Sequence, residues 1–255
     1  MKQKQLIIGN WKMNPRTVLE AQKLFDDIKK EVAVFQGTDV AVCPPFVFLS
    51  GLSALNSGKE ISLGAQNVSS EEEGACTGEI SVGMLKTLSV KFAIIGHSER
   101  RAMGETDEMV SKKVVAAVKA GLTAVLCVGE RERDHESAFL QILKEQIIAS
   151  LSGISERQLK NVVIAYEPVW AIGAKAKGVV EPEALLETII FIRKVLSDLY
   201  SQKTAHAMKI LYGGSVDEKN AGSFLKEGGA NGLLVGRASL NAKKFVEILK
   251  IADNI

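Results

Sequence analysis

Eight short apolar runs, each closed by Gly, Pro or a polar residue, constrain this chain's fold more than any other feature. They are LIIG from Leu6, VAVCP from Val40, ISLGAQ from Ile61, FAIIGH from Phe92, AVLCVGE from Ala124, VVIAYE from Val162, KILYGG from Lys209 and GLLVGR from Gly232. Each is too compact for a helix, and none alternates apolar with polar residues. Such runs must be covered on both faces, as parallel strands are. Segments of helical spacing lie between them: Val18, Ala21, Phe25, Ile28 and Val32 share one face, and so do Val110, Val114 and Val118. Strand then helix, repeated eight times in 255 residues with no Pro/Ser-rich linker and no shift in composition, predicts a closed (β/α)8 barrel with parallel strands. A single domain over residues 1–255 is expected.

Charge and cysteine usage narrow the functional classes. The net charge is +2, and Lys and Arg are interleaved with Asp and Glu, so no basic stripe exists to track a nucleic-acid backbone. A small metabolite is the expected partner. The start, MKQKQLIIG, lacks the long apolar region of a secretory signal, and no later run is long enough to span a bilayer. Cys43, Cys76 and Cys127 are odd in number, far apart and never in a C-x-x-C pair, which argues against a disulfide framework or a zinc site. The three histidines are too scattered to be metal ligands. The expectation is a reduced, cytoplasmic protein with no membrane contact, metal or cofactor.

A parallel barrel carries its chemistry at the C-terminal ends of its strands. Asn10 and Lys12 follow the first run, His97 follows the fourth, Glu167 ends the sixth, and Gly213, Gly214 and Gly236 end the last two. Glu167, pinned by Pro168, is placed as a base on a rigid element. The sequence VWAIGAKAKGVVEP after it has the composition of a hinged lid. His97 precedes Ser98, which can cap a helix starting at Glu99; a ring there feels the positive end of the helix dipole, which favours the neutral form and donation to a carbonyl. Lys12 could supply positive charge to a carbonyl oxygen turning into an enediolate. The glycines of GGS at 213–215 and of Gly236–Arg237 leave backbone N–H groups free to converge on an anion, and barrels often hold a phosphate between the seventh and eighth strands.

These segments together resemble the triosephosphate isomerase family. GNWKMN, GAQN, TGEIS, IIGHSERR, CVGE, AYEPVWAIG and YGGS occur in the family's order across nearly the whole chain. The resemblance implies the TIM-barrel fold and interconversion of dihydroxyacetone phosphate and D-glyceraldehyde 3-phosphate, in glycolysis and gluconeogenesis. It implies Glu167 as the proton carrier, His97 as the group that polarises the carbonyl and Lys12 as the stabiliser of negative charge; the family is itself the standard worked case of a glutamate base beside a neutral histidine. Asn10 is implied as a substrate contact, and Gly173, Gly214, Ser215, Gly236 and Arg237 as the phosphate surround. A homodimer is implied too, with the loop GACTGEIS reaching into the partner and Thr77 near its active site.

Three departures stand out. The lid is two residues longer than the family's EPVWAIGTGKTATP, and only its first half matches. The usual second glycine after the last strand is Arg237, and Cys76 stands where the family often has an aromatic residue. Three other readings of the sequence remain open, one of them a catalytically silent barrel used for binding. An isomerase or epimerase of another sugar phosphate would use the same parts. A serine hydrolase would use Gly96-His97-Ser98-Glu99-Arg100 with Asp198 and His206, although Arg100 replaces the glycine its turn needs.

Overall fold

The computed structural model describes residues 3–56, 60–133, 138–173, 176 and 178–255. The eight apolar runs form eight strands: β1 (Gln5–Asn10), β2 (Thr38–Cys43), β3 (Ser62–Ala65), β4 (Phe92–Ile95), β5 (Thr123–Val128), β6 (Val162–Tyr166), β7 (Ile210–Tyr212) and β8 (Gly232–Val235). They close in sequence order into one parallel barrel. The seam between β1 and β8 aligns Leu6 with Gly232 and Gly9 with Val235. A side chain at Gly232 would put its Cβ 1.9 Å from the Leu6 carbonyl oxygen, so the seam closes only over glycine.

The intervening helices are α1 (Val18–Val32), α2 (Phe46–Leu55), α3 (Val82–Thr87), α4 (Ser98–Ala102), α5 (Asp107–Lys119), α6 (Ala138–Ser150), α7 (Pro182–Leu199), α8 (Gln202–Ala207), α9 (Ala221–Lys226) and α10 (Ala242–Asp253). Helix α1 starts with a capping box, in which Thr17 accepts from the Glu20 N–H and Glu20 accepts from the Thr17 N–H. It buries Ala21, Phe25, Ile28 and Val32. Val18, expected on that face, is 53% exposed because it lies in the first turn, beyond the barrel's shoulder. In α5, Val110, Val114 and Val118 are buried as their spacing predicts. Pro182 opens α7, where its missing N–H costs nothing.

The core has two layers, and strand phase divides them. Inside the barrel lie Leu6 and Ile8, Val125 and Cys127, Val163 and Ala165, Leu211, and Leu234. Their alternates, such as Ile7, Val42, Ile164 and Leu233, face the helices and form the larger cluster with Phe25, Leu143 and Phe245. The runs look continuous in sequence because both rows are apolar. Every inward row points toward the mouth: two residues beyond Ile8 is Asn10, beyond Ala165 is Glu167, beyond Leu211 is Gly213 and beyond Leu234 is Gly236. Among the described residues, no helix is long and apolar enough to cross a membrane.

Candidate active site

Glu167 sits where the inward row of β6 leaves the sheet. Its N–H donates to the Val128 carbonyl at 2.8 Å, so the backbone is fixed by one last ladder-like bond to β5. Its side chain is only 3% exposed. Two neighbouring glycines make room for it. A Cβ on Gly129 would lie 1.7 Å from the Glu167 carbonyl oxygen, and one on Gly213 would lie 3.0 Å from Glu167 Cγ. The Glu167 carboxylate accepts from the Ser98 N–H at Oε2 (2.8 Å), and its Oε1 lies 3.1 Å from His97 Nε2.

His97 is itself the N-cap of α4; the helix begins at Ser98 and not at Glu99, as the sequence suggested. The shift arises because the ring caps its own helix. Nδ1 accepts from the Glu99 N–H at 3.2 Å, which leaves the ring's proton on Nε2, facing Glu167. With Nδ1 accepting, Nε2 is the ring nitrogen that can donate, and it stands 3.1 Å from Glu167 Oε1.

Lys12 has a left-handed backbone, φ +51°, which is uncommon for a residue with a side chain. Two contacts hold it there: its N–H donates to Asn10 Oδ1 at 3.0 Å, and its carbonyl accepts from Gln66 Nε2 at 2.8 Å. Strain of roughly 1–3 kcal/mol persists only where surroundings over-determine it, and here it aims a cation into the mouth. The Lys12 ammonium pairs with Glu99 Oε1 at 2.6 Å, and the other oxygen of Glu99 is 3.8 Å from His97 Nδ1. Glu99 therefore joins the two groups, its carboxylate holding Lys12 and its backbone N–H holding His97, whose other ring nitrogen faces Glu167. A Cβ at Gly236 would lie 3.6 Å from Lys12 Cε, which places that glycine against the lysine stem.

The anion-binding candidates divide. Gly213 spends its N–H on the Tyr166 carbonyl at 2.8 Å, whereas those of Gly214 and Ser215 meet no acceptor among the described residues. Gly214 is glycine for a packing reason as well, since a Cβ there would fall 2.2 Å from the Tyr212 hydroxyl. Ser215 donates its hydroxyl to the Ala171 carbonyl at 3.0 Å, tying β7 to the first half of the lid. Gly173 has φ +78°, and Arg237 opens a short 3-10 helix with its side chain exposed. Ala174, Lys175 and Lys177, part of the longer lid, lie outside the described residues.

Several members of this site had no part in the isomerase reading of the sequence, though each lies inside a quoted motif. Glu99 and Ser98 belong to GHSERR, Gln66 to GAQN and Glu130 to CVGE. Glu130 is fully buried and accepts from the Tyr166 hydroxyl at 2.9 Å and from Trp170 Nε1 at 2.7 Å. Burial pushes its carboxyl pKa up against the pull of those donors. Cys127, in the inward row of β5, has its thiol pKa pushed well up by burial and by the Glu167 charge beside it. One layer farther out, Glu105 bonds Lys113 at 2.6 Å and Arg100 at 3.1 Å and fastens the end of α4 to α5.

A cavity of about 840 Å³ lies beside the mouth, lined by Glu167, Ser98, Gly129, Phe139 and Val169 but by none of Asn10, Lys12, Ser215 and Gly236. It lies behind Glu167, away from Gly214, Ser215 and Gly236. The serine-hydrolase reading fails on topology. Asp198 and His206 end α7 and lie in α8, which lead into the N-terminal end of β7, while Ser98 is at the opposite end of the barrel. Among the described residues, no three His, Cys, Asp or Glu side chains are grouped to hold a metal ion.

The comparisons with known proteins agree over almost the full length. The family profile described as triosephosphate isomerase matches residues 5–252. A curated protein named triosephosphate isomerase from Carboxydothermus hydrogenoformans is 41% identical over 249 residues, covering 97% of this chain and 98% of that one. Another of the same name from Dehalococcoides mccartyi is 44% identical over 252 residues, covering 98% of each chain.

Proposed function

The chain belongs to the triosephosphate isomerase family, and from that premise we propose how its barrel mouth divides the work. It is a triose-phosphate isomerase, an aldose–ketose isomerase that interconverts dihydroxyacetone phosphate and D-glyceraldehyde 3-phosphate through an enediolate in glycolysis. Glu167 takes the proton from one carbon and returns it to the next. His97 donates its Nε2–H to the substrate oxygen, and Lys12 balances the negative charge that develops there.

The series Lys12–Glu99–His97–Glu167, linked through the Glu99 carboxylate, the Glu99 N–H and His97 Nε2, carries this reading. A substrate oxygen that accepts from His97 Nε2 takes the place now held by Glu167 Oε1, and that carboxylate oxygen is then free to receive a proton. Neutral His97 suits the role, because a hydrogen bond from an imidazole follows charge as it develops. Asn10, whose Oδ1 holds Lys12 in its left-handed turn, lines the same mouth. We assign the phosphate to the N–H groups of Gly173, Gly214, Ser215 and Gly236, with Arg237 as an added charge at the rim. Lid closure would then hold the phosphate away from the elimination geometry, and the family is a standard case of such a closing loop.

A homodimer completes the proposal. Residues 71–79, which include Cys76 and Thr77, are exposed throughout, and so are the apolar Met13, Val47 and Met84. Burying them against a second copy would remove apolar surface from water. Sedimentation at micromolar concentration should give twice the chain mass; a monomer with full activity would overturn the dimer.

The assay that tests the roles couples turnover of glyceraldehyde 3-phosphate to a second enzyme, for the wild type and Glu167→Asp. Withdrawing the carboxylate by about 1 Å should cost on the order of a hundred-fold in kcat. Equal rates would remove Glu167 from the chemistry.

A further inference from the structure

The lid stem carries an arrangement that the isomerase chemistry does not itself require. Trp170, three residues after the base, is gripped on three sides. Its Nε1–H donates to buried Glu130 at 2.7 Å, and an added Cβ at Gly178 would lie 3.0 Å from its Cζ3. On the third side is Arg133, whose Cζ lies 4.6 Å from the centroid of Phe139 and 5.9 Å from that of Trp170. Both distances are within the range where a guanidinium is attracted to a ring.

We propose that Arg133 is a positioning residue for the lid: from the β5–α6 loop it clamps Trp170 to the barrel body and so sets how readily the lid leaves this position. The inference rests on the isomerase reading above. The three contacts differ in kind. Gly178 and Trp170 both belong to the lid, so their contact joins the two ends of the loop and travels with it. Glu130 and Arg133 belong to the body, Glu130 just after β5 and Arg133 anchored over Phe139 of α6. Any displacement of Trp170 must break those two contacts. Of the pair, Glu130 has a structural duty of its own through Tyr166, whereas Arg133 is half-buried on a loop and reaches the lid through the Trp170 face. Its charge also reaches Glu130, so one guanidinium steadies both the ring and the carboxylate that holds it.

Closure over substrate, on this proposal, draws Trp170 out of these contacts; the clamp then opposes every ligand whose binding needs closure, and removing it tightens such binding. The test compares wild type, Arg133→Gln and Arg133→Lys. Three quantities are measured: KM for glyceraldehyde 3-phosphate, the Kd of glycerol 3-phosphate as an unreactive three-carbon phosphate, and acrylamide quenching of tryptophan fluorescence. The chain has two tryptophans, and Trp11 is fully buried, so quenching reports Trp170. Arg133→Gln should lower KM and Kd by about two- to five-fold, the factor corresponding to a cation–π contact at a partly exposed site. Quenching should rise, and Arg133→Lys should fall between the two. Unchanged or weaker glycerol 3-phosphate binding would overturn the proposal, and so would unchanged quenching. Should Arg133→Gln lose its fold, Arg133→Lys carries the comparison by the same criteria. Absence of triose phosphate turnover in the wild type would instead strike the functional reading, and the quenching difference would still decide the clamp.

Discussion

Glu167 and Trp170 stand three residues apart, yet they are held by different means. Glu167 continues the inward row of β6, is fixed through its backbone to β5, and fits between Gly129, which admits no side chain, and Gly213, where one would crowd it. The tryptophan has left the sheet and is kept in place by side-chain contacts to Glu130, Arg133 and Gly178. Moving the backbone of Glu167 would require the barrel to deform, whereas moving the tryptophan breaks one hydrogen bond and a ring contact. The difference suits the tasks proposed for them, since a base needs a fixed backbone and a lid needs two positions of similar free energy.

Substitutions on either side sharpen the contrast, beginning with the largest effect. Lys12→Met removes the cation from the rigid group and should lower kcat/KM by about a hundred-fold or more, the loss of roughly 3 kcal/mol typical of one preorganised charge. A steady-state assay decides it, and a loss that appears in KM alone would reduce Lys12 to a binding contact. Gly213→Ala adds a Cβ 3.0 Å from Glu167 Cγ and 3.3 Å from the Tyr166 carbonyl oxygen. Displacing the base by a few tenths of an ångström should cost on the order of ten-fold in kcat with KM little changed.

Trp170→Phe acts on the lid side. It leaves buried Glu130 with one donor fewer and should cost about 1–3 kcal/mol of stability, while kcat falls by only a few-fold. A kcat loss as large as that of Gly213→Ala would show that the lid stem is part of the rigid group after all. The smallest effect is expected from Glu105→Gln. Burial raises the Glu105 pKa, but the bonds to Lys113 and Arg100 outweigh it, and the net shift is below the ordinary 4.5. A lowered carboxylate pKa stabilises the fold above the unfolded value and loses that contribution as pH falls through the folded one. Glu105→Gln should therefore melt a few degrees lower than wild type at pH 7, by the usual scaling for a domain of this size. The gap should close as the pH drops below about 4.5. A gap that stays constant with pH would mean that packing and not charge is lost.

Much of the fold was legible because it is local. Each strand is a short apolar run, and α1 and α5 repeat a buried face at 3.6-residue spacing, so the eight units and their order could be read directly. Val18 shows the boundary of such reading, because spacing tells which face a residue occupies but not where the barrel's shoulder ends. In the site, residue types at strand ends identified Asn10, Lys12, His97 and Glu167. Their partners were less visible. Glu99 and Ser98 sit in the same motif as His97, but nothing in their spacing shows that one pairs with Lys12 and the other with Glu167. Arg133 gave no signal at all, because its rings come from α6 and the lid.

The sequence by itself determined the element order, the two-sided burial that makes the strands parallel, and the end of the barrel at which the chemistry gathers. Those properties follow from composition and period along the chain, which are short-range quantities. Only the tertiary structure decided that Lys12 turns left-handed between Asn10 and Gln66, that His97 caps its own helix and presents Nε2 to Glu167, and that Trp170 is held from outside the lid. Each depends on side chains brought together from separate strands, and the closure of the barrel at Leu6 and Gly232 is what fixes their distances.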